Sequence, residues 1–233
     1  MTDLSKISRR HMVRLVTMGG ATSALAACQM NADMMAAGLG GAGKEANWLE
    51  LGKEFDGALA LIAAQTDGLI EIQADYAGVL DLKDLEAKLR AEASKLKRGD
   101  TFGASELRTN TRLTKEANEA VVNELNRASG LSARQKQVLA QGQRSHEAAI
   151  QKMWVGVVRI GKVFIDARSA KRPSFTDLEL LNVARNITTT APRALDFGKT
   201  SKATYEAYNE AFEYKGVYVP PRNRVSELSM PSV

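Results

Sequence analysis

Apolar residues recur every three or four positions along most of the chain after Asn47, which is the spacing of an amphipathic α-helix. The clearest pattern lies between Ser132 and Pro173, where charged residues stay off the apolar face. That face carries Ile150, Met153, Trp154, Val157, Val158, Gly161, Phe164 and Ile165. The connections between such patterns are short, which favours antiparallel neighbours. The sequence therefore predicts an all-α fold, an elongated up-and-down bundle of four to six helices.

Two helices are predicted in the first half of this region. An apolar stripe runs from Trp48 to Leu96, and Gly99 ends it. Asp67-Gly68 is expected to kink this stripe, because glycine in a helix interior costs about 1 kcal/mol relative to alanine. A second helix, with a thin apolar face, is predicted from about Ser105 to Ala128.

Capping residues and a proline set the remaining boundaries. Ser132 and Gln135 form a capping-box pattern that starts the third helix. Ser174 with Asp177 is expected to cap a short fourth helix. Thr190-Ala191-Pro192 is expected to break the chain before a last helix, because proline interrupts a helix interior.

Two groups of aromatic residues are candidate binding positions. Tyr205, Tyr208 and Phe212 share one face of the last predicted helix. They either pack that helix onto the bundle, which is the favoured interpretation, or form an exposed surface for a partner. Trp154, close to Gly156, marks the place between helices where a small ligand would bind.

Residues 1–27 have the features of a signal peptide rather than of a folded segment. Lys6 and three arginines precede a weakly apolar run from Leu15 to Ala27, which is too short to cross a hydrocarbon core of about 30 Å. The segment Ser8-Arg9-Arg10-His11-Met12-Val13-Arg14 resembles the twin-arginine export motif, with Met12-Val13 in place of the usual Phe-Leu pair. That resemblance implies export of the chain from the cytoplasm.

The residues Leu25-Ala26-Ala27-Cys28 resemble the bacterial lipobox. The resemblance implies cleavage before Cys28 and attachment of lipid to its sulfur; a buried free cysteine is the alternative. Gln29 stands where an aspartate favours retention at the inner membrane, so we expect an outer-membrane anchor that faces the periplasm.

Four segments follow from these patterns. They are a cleaved signal peptide (1–27), a lipid-anchored flexible tether rich in Met, Ala and Gly (28–46), a helical bundle (47–215) and an extended tail (216–233).

Charge and cysteine content narrow the functional classes. The chain has a formal net charge of +5, but residues 1–27 hold four of the 32 basic residues and one of the 27 acidic ones. The remaining part has a net charge of +2, which gives no electrostatic reason to expect nucleic-acid binding. A single cysteine excludes an internal disulfide and any multi-cysteine metal site.

No catalytic constellation is recognisable. His146 is the only histidine after residue 27, and it is either a general base or metal ligand or, as we favour, an ordinary histidine at the edge of the apolar face. Gln143 stands where the Glu-x-x-His motif of di-iron bundles would need a glutamate. The glycine-rich match at Gly38–Gly43 has no surrounding βαβ unit, so it does not indicate a dinucleotide site. We therefore expect no metal, no cofactor and no enzymatic activity.

The predicted function is that of a lipid-anchored, periplasm-facing helical module that acts by binding, as an envelope structural or accessory protein. Its expected contacts are the membrane, through the lipid on Cys28, and a protein partner or a second copy, through its helices. The alternative is a periplasmic bundle that holds a small molecule or cofactor. A third class, a glycan-cleaving enzyme with two facing carboxylates, has no supporting motif.

Overall fold

The computed structural model describes residues 45–98, 102–218 and 228, and nearly all of them lie in five α-helices. The helices are α1 (Trp48–Val79), α2 (Lys83–Lys97), α3 (Ala104–Arg127), α4 (Ala133–Ser169) and α5 (Leu178–Tyr214). They belong to one compact unit, Gly43–Val233; the other unit, Met1–Ala42, lies outside the described residues. The all-α prediction, with four to six helices, is confirmed.

Side-chain caps explain where three of the helices begin. The Asn47 side chain accepts a hydrogen bond from the backbone N–H of Glu50 and starts α1. Ser132 and Gln135 cap each other's backbone at the start of α4, as predicted. Asp177 alone caps α5, by accepting from the N–H of Leu180 at 3.1 Å. Each such cap satisfies a backbone donor that has no partner inside the helix.

The expected kink at Asp67-Gly68 is absent, and the break in this stripe falls later. α1 continues through Gly68, because the next two residues, Leu69 and Ile70, are buried and hold the helix against its neighbours. The chain turns instead after Val79, where Asp81 adopts a positive φ of 60°. Aspartate tolerates this left-handed conformation better than most residues. α1 and α2 are therefore separate helices.

The expected break at Thr190-Ala191-Pro192 is also wrong. Pro192 lies inside a continuous α5. An interior proline costs about 3 kcal/mol and one backbone hydrogen bond. Ala191, Ala194 and Leu195 are buried on either side of it, and this packing outweighs the local cost.

Helices α1, α4 and α5 form the long axis of the bundle. α4 is antiparallel to α1: Gln135 Nε2 donates to the Val79 carbonyl at one end, and Trp48 Nε1 donates to the Lys171 carbonyl at the other, both at 3.0 Å. α5 follows α4 and runs antiparallel to it. α2 packs on the second half of α1, and α3 packs mainly on α5. Among the described helices, α4 packs substantially against α1 and α5 alone.

The predicted tail, 216–233, is described only at residues 216–218 and 228. Val217 is buried with Tyr76 and Phe212, and its N–H donates to the Phe212 carbonyl. The start of the tail therefore adds to the core, which the sequence did not indicate. Further on, the Leu228 carbonyl accepts from Lys202 Nζ at 2.7 Å.

Candidate functional site

A layer of polar and aromatic side chains crosses the interior between α1, α4 and α5. We call it the polar layer; its members are Tyr76, Gln143, His146, Tyr205, Tyr208 and Asn209. The Tyr76 hydroxyl donates to Gln143 Oε1 at 3.0 Å, and Gln143 Nε2 donates to Asn209 Oδ1. Gln143 Nε2 also reaches the Tyr205 carbonyl at 3.4 Å. One glutamine thus joins all three long helices.

His146 lies inside this layer, not at the edge of the apolar face where the sequence placed it. Its side chain has no solvent exposure, and neither ring nitrogen has a hydrogen-bond partner in the described part of the protein. The Tyr205 and Tyr208 rings pack against the imidazole, with centroids 5.6 and 5.9 Å away. Burial lowers the pKa of His146 to about 3, because the charged form would lose its hydration. The ring is therefore neutral at physiological pH.

The predicted aromatic surface is interior. Tyr205, Tyr208 and Phe212 are all buried, so the favoured interpretation, that they pack α5 onto the bundle, describes their positions. Tyr208 stacks on Phe212, and both rings meet Tyr76 edge-on at 5.3 Å. Burial raises the pKa of Tyr76 and of Tyr208 above the usual value for tyrosine. These phenols stay protonated and have no route to an external partner.

Trp154 is buried as well, with Lys202 Nζ lying 5.8 Å from the centre of its ring. The neighbouring Gly156 does not border a cavity. A Cβ at this position would lie 2.7 Å from the Ala58 carbonyl oxygen and 2.9 Å from Ile62 Cγ1. α1 and α4 are in direct contact here, so the helices pack closely at the position where the sequence analysis considered a small ligand.

Two open clefts lie on the surface of the described bundle. One, of about 580 Å³, separates the start of α4 from α1 and α2, and Asp75 and Glu86 hold Arg90 across it at 3.1 and 2.8 Å. The other, of about 420 Å³, lies between α3 and α5. Its charged lining consists of Arg108, Arg112, Lys115, Arg193 and Asp196. Neither cleft includes a residue of the polar layer, so neither gives His146 access to a ligand.

Exposed large hydrophobic side chains lie on α4, around the start of α5 and, as Tyr214 and Tyr218, at the end of α5. Val155, Val158 and Ile165 point outward from α4 with 49%, 43% and 38% of their surface exposed; we call them the outer row. The sequence analysis placed Val158 and Ile165 on the buried face and did not single out Val155. The signal was present in the spacing, since positions 155, 158, 162 and 165 recur at three and four residues, and Lys162 lies between Val158 and Ile165.

No group of three or more His, Asp, Glu or Cys side chains in the described part of the chain is arranged to hold a metal ion. None of the described helices combines the length and the apolar character needed to cross a bilayer. The signal and lipidation residues Arg9, Arg10, Leu25, Ala26, Ala27 and Cys28 lie outside the described residues.

Tyr76, Gln143 and Asn209 complete the polar layer, and the sequence did not identify them as a group. Gln143 drew attention only as a missing glutamate. Its position three residues before His146, on the apolar side of α4, was the available indication that a polar layer lies inside.

Comparison with known protein families, with curated proteins and with solved structures finds no match.

Proposed function

We propose that this protein is a lipid-anchored, periplasm-facing helical module of the bacterial envelope, held at the outer membrane, and that it acts by binding a protein partner rather than by catalysis. The observation that carries the proposal is the outer row of α4. Val155, Val158 and Ile165 form an apolar strip on a helix face that no described helix covers. The partner is an α-helix that offers an apolar row of its own.

The contrast along α4 supports this assignment. In the first half of the helix the exposed positions are mostly polar or charged: Arg134, Gln137, Gln141, Arg144 and Ser145. In the second half three β-branched residues join the charged ones on the exposed side. Covering a large aliphatic side chain stabilises a complex by about 1.5–3 kcal/mol when the side chain starts fully exposed, and by less for these half-exposed ones. Three such residues at helical spacing form a contact strip of the kind used in helix-to-helix recognition.

The interior argues for binding rather than chemistry. A general acid or base must reach the proton that it transfers and needs a pKa near the working pH. His146 is enclosed by aromatic rings, and burial keeps its pKa at about 3. The polar layer therefore serves the packing of the long helices.

The anchor is tested through Cys28, the only cysteine of the chain. In the producing bacterium the wild-type chain is expected in the membrane fraction, with a mass increased by acyl groups. Cys28→Ser is expected to move it to the soluble periplasmic fraction. Substitution of Arg9 and Arg10 by lysine is expected to block export and leave the precursor inside the cell. Equal membrane association of wild-type protein and Cys28→Ser would overturn the lipid anchor.

Photo-crosslinking tests the binding surface. A photoreactive residue at position 162, inside the outer row, is expected to give one defined adduct in whole cells. The same residue at position 141, on the polar half of α4, is the matched control and should give none. Val155→Ser with Val158→Ser should abolish the adduct at 162 without changing the thermal unfolding midpoint, because both side chains are exposed.

The mass of the adduct identifies its source. An adduct of twice the chain mass means that the partner helix belongs to a second copy, and any other mass identifies another envelope protein by its peptides. Adducts of equal yield at 141 and 162, or an adduct that survives the double substitution, would contradict the proposed surface.

A further inference from the structure

The end of the bundle where α1 begins, α4 ends and α5 begins carries the most exposed apolar side chains in the described part of the protein. We call it the tip and define it by Trp48, Leu49 and residues 171–178. Phe175 is 83% exposed and Leu178 71%, and Leu49 adds a half-exposed side chain. The Trp48–Lys171 hydrogen bond ties the start of α1 to the loop that bears Phe175.

The loop holds Phe175 outward by its own hydrogen bonds. The Asp177 N–H donates to the Ser174 carbonyl at 3.0 Å, which closes a tight turn with Phe175 at its second position. The Ser174 and Thr176 hydroxyls bond to each other at 2.8 Å, and Pro173 before the turn is buried. The turn is therefore fixed before any ligand arrives, and Phe175 projects without a cost of ordering the backbone.

The proposed anchor enters the fold at this same end. Cys28 lies twenty residues before Trp48, and a flexible linker of that length has a root-mean-square span of about 25 Å. That span is shorter than α1, whose 32 residues make it about 48 Å long. A lipid on Cys28 thus keeps the tip, rather than the end at Val79 and Ala133, close to the bilayer. Tethering raises the local concentration of lipid at the tip, so even a weak apolar contact is occupied much of the time.

We propose that the tip is a second membrane contact, in which Phe175, Leu178 and Leu49 enter the interfacial region of the bilayer that holds the lipid anchor. This inference rests on the proposed lipid anchor. A lipid anchor and a protein-based contact together hold a chain at the membrane more durably than the lipid alone. The contact also fixes the orientation of the long axis and sets the outer row of α4 at a defined height above the membrane.

The charges around the tip predict that this contact is apolar rather than electrostatic. Lys171 and Arg172 precede the turn and can reach lipid phosphates. Acidic groups oppose them on the neighbouring helix ends: Glu50, Asp166, Asp177 and Glu179. Because these acidic groups outnumber the basic ones by four to two, we expect no attraction to anionic lipid and little dependence on salt, whereas a polybasic surface depends strongly on both.

A fluorescence experiment on the full lipidated chain tests the contact. Once Cys28 is acylated the chain has no free thiol, so Thr176→Cys gives one labelling site beside Phe175 and leaves the apolar residues intact. Ser129→Cys, in the turn between α3 and α4 at the opposite end, is the matched control. In vesicles of zwitterionic phospholipid, an environment-sensitive dye at 176 should shift to the blue and be quenched by brominated lipid. The dye at 129 should stay in water.

Phe175→Ser with Leu178→Ser should reverse the shift at 176, with at least a tenfold loss of lipid quenching, because the substitutions remove the two large apolar side chains that enter the bilayer. The folding of this variant is checked by circular dichroism and should match that of the wild type, because neither residue is in the core. Added anionic lipid or high salt should leave the signal nearly unchanged.

Two failures are distinguishable. If the labelled protein floats with the vesicles while the dye at 176 stays as aqueous as the dye at 129, the tip contact is overturned and the anchor stands. If the protein does not float and its mass shows no acyl group, the proposed anchor fails, and the inference fails with it.

Discussion

Among the described residues, His146 is the one side chain with two buried polar atoms that lack a hydrogen-bond partner. A buried polar atom without a partner costs about 1–3 kcal/mol, and both nitrogens of this imidazole are buried and unpartnered in the described structure. The rings of Tyr76, Tyr205 and Tyr208 surround it, so the site accepts the flat ring by shape and leaves its hydrogen bonds unmet. A second proton on the ring would place a charge in the core, so the stability of the fold depends on His146 remaining neutral.

Acid should destabilise the protein through this one residue. The pKa of His146 is about 3 in the folded state and about 6.5 in the unfolded chain, so between these values the unfolded state binds the extra proton. The free energy of unfolding should accordingly fall as the pH drops from 6.5 towards 3, by up to about 1.4 kcal/mol per pH unit. Urea unfolding at a series of pH values from 7 to 4 measures this slope.

His146→Leu provides the control, since it removes the titrating group and keeps a side chain of similar volume. The variant should have a shallower slope over this range. At pH 7 it should be as stable as the wild type or more so, because no hydrogen bond is lost. Equal slopes in the two proteins would show that His146 is protonated in the folded state or is not buried.

At the scale of helices, α1 and α4 pack closely because Gly156 leaves room for the backbone at Ala58. Gly156→Ala would push a methyl group to within 2.7 Å of the Ala58 carbonyl oxygen, and a backbone atom cannot swing aside. We expect the free energy of unfolding to fall by about 1–3 kcal/mol, the usual cost of overpacking. Chemical unfolding of the purified variant measures the loss.

Gly68→Ala is the matched substitution on α1. A Cβ at Gly68 meets nothing within 4 Å, so only helix propensity changes, and stability should rise by about 0.5–1 kcal/mol. The opposite signs of the two effects separate close packing from propensity. A stabilising Gly156→Ala would show that the two helices can move apart at no cost.

The helix boundaries show what the sequence could predict. The cap at Ser132 with Gln135 is a local hydrogen-bonded unit, so the start of α4 was readable from two residues. Pro192 and Gly68 carry local signals that tertiary packing overrides, and the sequence alone does not give the strength of that packing. At Asp81 the sequence carries no clear local signal, because an aspartate in a charged segment does not by itself predict a left-handed turn. The end of α1 was therefore missed.

The candidate site was likewise predictable from the sequence only in part. The interior positions of Tyr205, Tyr208 and Phe212 follow from their shared helix face. The burial of His146 did not follow, since its depth is set by Tyr205 and Tyr208, about sixty residues away in sequence. The outer row was missed because α4 has apolar residues on two faces, and a single helical pattern does not say which face neighbouring helices will cover.

On the scale of the whole molecule, the two ends of the bundle are unequal. Near Val79, α2 and α3 join the long helices, and the cluster around Tyr76, Leu125 and Leu139 continues into that of Ile70 and Leu89. α2 ends beside Glu71, where Lys97 pairs with that residue, so it does not extend to the tip. Within the described residues, the tip holds only the ends of α1, α4 and α5, together with the outward-facing Phe175 and Leu178.

The helix ends at the tip have fewer packed neighbours than the end near Val79, so less apolar surface is buried around each backbone hydrogen bond. The free energy of local opening should therefore be lower at the tip. Amide hydrogen exchange measured by mass spectrometry should therefore be faster in peptides from residues 48–57 and 178–190 than in those from 69–77 and 204–212.

Contact of the tip with a bilayer and of the outer row with a partner should both slow exchange at the tip end and leave the Tyr76 end unchanged. Comparison of Cys28→Ser in solution with the lipidated chain in vesicles isolates the membrane effect. Uniform exchange along α1 would mean that the bundle opens as one unit. The tip would then be no less stable than the Tyr76 end, which would contradict this prediction.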